Sequence, residues 1–236
     1  MALSVILKEP KITSYTAARN LWNLFAIDYF DKQAMERFSQ VLLDCEPEKL
    51  HHLDIANALR SFAHFHYLDY DCLEVLIKET IKRAEKFEMQ TLAVILNSLA
   101  ALDISNPTLL TICKHILLQK IDAKATLADG EPLITVERPT LKPIDCAMFM
   151  AAFSRAEIFD DPALQESLLA CFIERVDEAD GETVVTILNA HAEWCHHMID
   201  TVLIKKKQPK RVYSYFIKYN DQVLAKVIPR LIEKSD

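Results

Sequence analysis

The chain is predicted to be all-α, an α-solenoid of about five helix-turn-helix repeats, and three observations lead there. One motif returns about every 37 residues: Ile55 to Phe65 (IANALRSFAHF) aligns with Leu92 to Leu102 (LAVILNSLAAL), Cys146 to Ala156 (CAMFMAAFSRA) and Val184 to Trp194 (VVTILNAHAEW). Ala17 to Ile27 is a degenerate fifth copy. Self-similarity at this period marks stacked helical pairs. Within each copy the apolar residues fall on one helical face. Glycine is scarce, with only 2 in 236 residues (Gly130 and Gly181), which disfavours a sheet-rich fold closed by tight glycine turns.

The first helix of each unit carries one apolar ladder. Ile55, Ala58, Leu59, Phe62 and Phe65 stand at i, i+3, i+4, i+7 and i+10. The same register holds Leu92, Ile95, Leu96, Leu99 and Leu102, then Cys146, Phe149, Met150, Phe153 and Ala156, then Val184, Ile187, Leu188, His191 and Trp194. Small residues flank the ladder at Ala18, Ala56, Ala93 and Ala147, with Val185 last. Two turns on come Ala63, Ala100, Ser154 and Ala192. Small side chains at that spacing let a neighbouring helix approach closely.

The second helix repeats as well: Leu73, Leu76, Ile77 and Ile81 match Leu110, Cys113 and Leu118, then Leu164, Leu168 and Phe172. Asn106-Pro107 and Asp161-Pro162 each place a capping side chain before a proline at the first helical position. Asp69 and Asp71 are the candidate caps of the earlier copy.

Two places break the period. From Leu92 to Cys146 the spacing is 54 residues, and the extra chain lies in Lys120 to Pro143, with Gly130, Pro132, Pro139, Pro143 and the β-branched run Leu133 to Val136. Those residues exclude a continuous helix and predict a long projecting loop, with room for a short extended piece. The second break is Lys205 to Arg211, with 5 basic residues in seven. An amphipathic helix over Val212 to Lys234 follows, with Tyr215, Phe216, Tyr219, Val223, Val227 and Leu231 on one side, and is expected to cap the stack. The domain reading is therefore a repeat array over 1–204, a basic linker over 205–211 and a capping helix over 212–236.

Composition bounds the function. Without a Gly-rich loop there is no nucleotide phosphate cradle to place. The net charge is −7, so a basic nucleic-acid footprint would have to be local. The 6 cysteines show no C-x-x-C pairing, which predicts free thiols in a reducing compartment, four of them on apolar helical positions. No apolar run reaches the roughly 18 residues a membrane span needs. Met1 to Leu21 carries Lys8, Lys11 and Arg19 against the single acid Glu9, a faint likeness to a mitochondrial presequence that Glu9 and Pro10 weaken. The alternative is an N-terminal arm or first helix.

Candidate chemistry is sparse. His191 and Cys195 stand i, i+4 on a helix and could share a metal. The repeat register already explains His191 as a core residue, in the place of Phe62, Leu99 and Phe153. Cys146 is likewise a ladder position, His51, His52, His64 and His66 read as surface groups, and the pairs Asp160-Asp161 and Asp177-Glu178 read as caps and solvated turns. No catalytic, metal or cofactor site is expected, and the protein is expected not to be an enzyme. The basic segment is the one candidate contact: Lys205, Lys206, Lys207, Lys210 and Arg211 for phosphate, Tyr213 and Tyr215 for base stacking. A solvated inter-helix loop, an acidic protein neighbour or anionic lipid would explain it as well.

Leu92 to Leu102, followed by a capped helix from Pro107 to Leu118, resembles the heptatricopeptide-type repeats of the mitochondrial FAST-kinase-domain and RAP-domain proteins. Asp54 to Leu59 and Thr186 to Ala190 look like the same element, and the likeness spans roughly Ala17 to Leu203. It implies a right-handed superhelical array in the mitochondrial matrix that acts on organellar RNA, some members being ribosome components. The sequence departs from that pattern in lacking room for a RAP-like domain after the repeats, and in its acidity. The expectation is a non-catalytic subunit of a mitochondrial ribonucleoprotein, binding protein neighbours and touching RNA through 205–211. Its rival is a protein-only scaffold, an accessory subunit of a respiratory or ATP synthase complex, which the acidic balance favours.

Overall fold

The computed structural model describes residues 11–122, 141–159, 161–197, 199–200, 223–229 and 232. Among them every regular element is helical. The chain contacts gather into two compact units, Met1–Cys113 and Lys114–Asp236.

In the first unit α1 (Ser14–Ala26), α3 (His52–His64) and α5 (Met89–Ala101) are the first helices of successive repeats. The second helices are α2 (Lys32–Asp44), α4 (Tyr70–Arg83) and the start of α6 (Pro107–Asp122). α1 packs on α2 within its repeat and on α3 of the next, α3 packs on α5, and α2 on α4. First helix on first helix and second on second is the stacking of an α-solenoid. The ladder supplies the core: Ile55, Ala58, Leu59, Phe62, Leu92 and Ile95 are 0% exposed. Phe65 ends its ladder half-buried.

Burial along equivalent helices shows which side faces which neighbour. Ala18, Ala56 and Ala93 are buried, including in α1, which has no preceding repeat among the described residues. They therefore face the following repeat. The opposite side holds Asp54, Ala58 and Ser61 in α3 and Thr91, Ile95 and Ser98 in α5, all buried. In α1 the equivalents are Thr16, Asn20 and Asn23, half-buried or exposed. The first described repeat thus carries polar residues at positions that the next two repeats bury. The helix from Ser14 packs Ala17, Ala18 and Leu21 at 0% exposure, so this part of the Met1 to Leu21 stretch is the first helix among the described residues. Residues 1–10 lie outside the described set.

In the second unit α7 (Pro143–Arg155) packs on α8 (Pro162–Glu174) and on α9 (Gly181–His197). Phe149, Phe153, Phe172 and Trp194 fill its core at 1% exposure or less. Val185, expected to be a close-packing small position, is 43% exposed. It lies on the side that faces a following repeat, and no further first helix exists among the described residues. A π-helical turn at Val223–Val227 packs on α8 and buries Val227 completely. Residues 212–222 of the expected capping helix, with Tyr215, Phe216 and Tyr219, lie outside the described residues.

The helix ends repeat as strictly as the core. Asp31, Asp69, Asn106 and Asp161 cap α2, α4, α6 and α8, each side-chain oxygen accepting from a backbone N–H three residues on at 2.8–3.1 Å. Asp69 is therefore the cap and Asp71 an exposed first-turn residue. Four first helices, α1, α3, α5 and α7, close through a residue in the left-handed region: Asp28 (φ 50°), His66 (φ 49°), Asp103 (φ 57°) and Glu157 (φ 55°). The next residue folds back, so that Tyr29, Tyr67, Ile104 and Ile158 donate to the carbonyls of Leu24, Phe62, Leu99 and Phe153 at 2.9–3.0 Å. This is the Schellman closure, built four times without glycine.

Two expected positions shift. On α6 the inner face is Leu109, Cys113, Ile116 and Leu117, not Leu110 and Leu118, which are half-buried. The Asn106 cap sets the register, and it turns Leu109 inward as Asp69 turns Cys72. The expected loop of Lys120 to Pro143 is shorter at both ends. α6 runs to Asp122, and Pro143 opens α7, where the fixed proline φ suits the first helical position. Residues 123–140, with the β-branched run, lie outside the described set.

Candidate functional site

Lys205, Lys206, Lys207, Lys210, Arg211, Tyr213 and Tyr215, the candidate contact residues, all lie outside the described residues. His191 is buried at 5% exposure in the ladder, with Cys195 Sγ at 3.6 Å from its Nε2 and 4.0 Å from its Nδ1. Among the described residues no group of three or more His, Cys, Asp or Glu is arranged to hold a metal. Burial pushes the Cys195 thiol up to about 11, and Cys72 and Cys113 to about 12. Cys146, 0% exposed, is raised well above the ordinary thiol value by the same cause. Thiols held in this way are protonated at neutral pH and are poor nucleophiles.

The histidines read as surface groups have structural partners. His64 Nε2 lies 2.7 Å from Asp28 Oδ1 and its ring meets Phe25 edge-on at 5.0 Å. His51 Nδ1 accepts from the Leu53 N–H at 3.4 Å. His52 sits against Phe87 at 5.5 Å, and desolvation lowers its pKa. His66 is one of the left-handed residues.

The second unit holds a groove of about 940 Å³ whose lining includes Ser154, Glu157, Phe159, Glu193 and His197. Ser154 Oγ donates to the Glu193 carboxylate, and His197 stacks on Phe159 at 4.3 Å and 20°. These contacts tie α7 and its turn to α9. Arg175 makes a similar tie in a neighbouring pocket, donating to the Leu141 carbonyl at 2.7 Å and to Glu178 at 2.9 Å.

A surface with more chemical character runs along the exposed side of the first helices in the first unit. On α1 it carries Tyr15, Arg19 and Trp22, at i, i+4 and i+7. The repeat places Leu53, Asn57 and Arg60 at the same positions of α3, and Gln90, Val94 and Asn97 at those of α5. Tyr15 is 57% exposed and Trp22 41%. The Arg19 guanidinium donates to the Tyr15 hydroxyl at 2.9 Å, and Arg60 lies over the Phe25 ring at 4.7 Å. None of these positions holds a carboxylate. In the second unit the equivalent row reads Ile144, Met148 and Ala151, then Glu182, Thr186 and Asn189, without an aromatic or an arginine. The row escapes sequence reasoning because it lies beside the apolar ladder positions that carry the periodic signal. The signal was there, since the row is the ladder register displaced by two residues.

No protein-family model matches the chain, and no curated protein matches it. No helix of the described residues is long and apolar enough to cross a membrane.

Proposed function

We propose that the protein is a non-catalytic helical-repeat subunit of a mitochondrial ribonucleoprotein assembly, a ribosomal or RNA-processing particle, in which it binds protein neighbours and touches RNA. The resemblance of its repeats to the heptatricopeptide type supports the compartment and the particle. The observation that carries the RNA contact is the row of Tyr15, Arg19, Trp22 and Arg60, all exposed, with Asn57 half-buried among them. Aromatic faces stack bases, arginines meet phosphates or stack on bases, and amides read base edges. The absence of carboxylates from the row leaves a local surface without acidic repulsion on a chain of net charge −7. The basic segment at 205–211 would add phosphate contacts.

Anisotropy with a fluorescent single-stranded RNA tests the row. Replacing Arg19 and Arg60 by serine is expected to weaken binding and to flatten the log–log salt slope by about 1.4, since each single-strand phosphate contact contributes ~0.7. An unchanged slope removes the row from the RNA contact. A crosslinking pull-down from isolated mitochondria, with and without nuclease, tests the assembly. Ribosomal or RNA-processing partners lost on nuclease treatment support it. Nuclease-resistant partners from a respiratory or ATP synthase complex support instead the protein-only scaffold, which the acidic net charge favours.

A further inference from the structure

The turns between first and second helices form another edge of the first unit. Ile27, Tyr29 and Phe30 follow α1, and Leu68 and Tyr70 follow α3 one repeat later. They are 69%, 51%, 50%, 46% and 69% exposed, a concentration of large apolar side chains that soluble surfaces seldom leave uncovered. Two contacts join the turns into one surface. Phe30 and Phe65 meet with ring centroids 5.6 Å apart, and His64 Nε2 reaches Asp28 Oδ1 at 2.7 Å.

Charge on this edge selects the occupant. The two turns, residues 27–32 and 64–71, hold four aspartates (Asp28, Asp31, Asp69 and Asp71) against one lysine, Lys32, with His64 and His66 as the only other titratable bases. Asp28 and Asp71 are exposed, while Asp31 and Asp69 are half-buried over the N-termini of α2 and α4. Nucleic acid is repelled by such a rim. A second copy docked through the same edge would set aspartate against aspartate, because a two-fold contact pairs a patch with itself. An apolar centre with an acidic rim complements a segment that is apolar on one face and basic at its margins.

We propose that this edge docks a basic amphipathic segment of a protein partner, with apolar side chains against Tyr29, Phe30, Leu68 and Tyr70 and lysines or arginines against Asp28 and Asp71. The proposal rests on the reading of the chain as an assembly subunit, and names the chemistry of its protein neighbour. Its residues are separate from Arg19 and Arg60, so failure of RNA binding leaves it standing and its own failure leaves the RNA row standing.

Titration of the full chain with a fluorescent amphipathic helical peptide of leucine and lysine tests it, with a leucine and glutamate peptide as the charge control. The lysine peptide is expected to bind and the glutamate peptide not. The pair Asp28→Lys and Asp71→Lys is expected to weaken binding roughly tenfold. The pair Tyr29→Ser and Tyr70→Ser is expected to weaken it comparably, with the thermal melt unchanged because both side chains are exposed. The control pair Glu46→Lys and Glu85→Lys makes the same charge change at exposed sites outside these turns, and is expected to leave affinity within about twofold. Equal weakening by both charge pairs would show diffuse attraction and overturn the proposal. So would failure of the lysine peptide to bind, or self-association in sedimentation that Tyr70→Ser abolishes.

Discussion

Glycine in place of Glu157 should stabilise the second unit, although it deletes a whole side chain. Glu157 holds φ at 55°, where a Cβ crowds the backbone. It is held there by the helix closure: its N–H donates to the Ser154 carbonyl at 3.0 Å, and the Ile158 N–H to the Phe153 carbonyl at 2.9 Å. A non-glycine residue in this region costs roughly 1–2 kcal/mol. Glycine removes that strain and returns ~0.4–1 kcal/mol as extra freedom of the unfolded chain, leaving a net gain of ~0.8 kcal/mol at the middle of the two ranges. For a chain of this size 1 kcal/mol moves Tm by ~2–4 °C, so Glu157→Gly should raise the melt by ~1–4 °C. The neighbouring Ala156 has an ordinary φ of −79° and serves as the internal control. Ala156→Gly brings the same unfolded-state freedom without relieving strain, and should lower stability by ~0.4–1 kcal/mol. Scanning calorimetry or circular dichroism melts of the two variants read the difference. If Glu157→Gly falls as far as Ala156→Gly, the left-handed closure is wrong, and so is the repeat register built on it.

Other consequences follow from burial. Asp145 is 3% exposed, and desolvation raises its pKa, with the backbone hydrogen bond from Lys142 at 3.2 Å acting against it. Its folded pKa lies above its unfolded one, so the native state binds the proton more tightly. The stabilisation this provides is fully present below the ordinary carboxylate pKa, and is lost as pH rises through the raised folded value. Denaturant melts across that range should show Asp145→Asn gaining on the wild type as pH rises; parallel pH profiles would refute the burial argument. Cys72 and Cys113, 0% exposed and with pKa pushed up to about 12, should resist iodoacetamide in the native protein, while Cys45, half-buried, is alkylated first. Mass spectrometry of the alkylated chain checks the order, and early labelling of Cys72 would contradict the packing.

The helical class, the repeat and most of its core were legible in the amino-acid sequence. A ladder such as Leu92, Ile95, Leu96 and Leu99 has one helical reading, and the Asn106-Pro107 and Asp161-Pro162 pairs announce where the second helices begin. His191 could be placed in the core for the same reason, since it stands where three other copies carry Phe62, Leu99 and Phe153. These are local or periodic signals, carried by residues a few positions apart.

What lay beyond the sequence depends on neighbours distant along the chain. Asp28, His66, Asp103 and Glu157 carry no common side chain to mark a left-handed residue, because the closure is made by backbone groups and by the residue after it. The polar character of one side of α1 emerges only when Thr16, Asn20 and Asn23 are set against buried equivalents in α3 and α5. The aromatic and arginine row and the acidic apolar edge are each assembled from residues about one repeat apart, which stacking brings side by side. That helices form, and which stripe each buries, follows from the order of residues alone, because hydrophobic periodicity is a property of a single segment. Which surfaces remain for partners follows from the packing, because exposure is what is left after every helix has taken its neighbours.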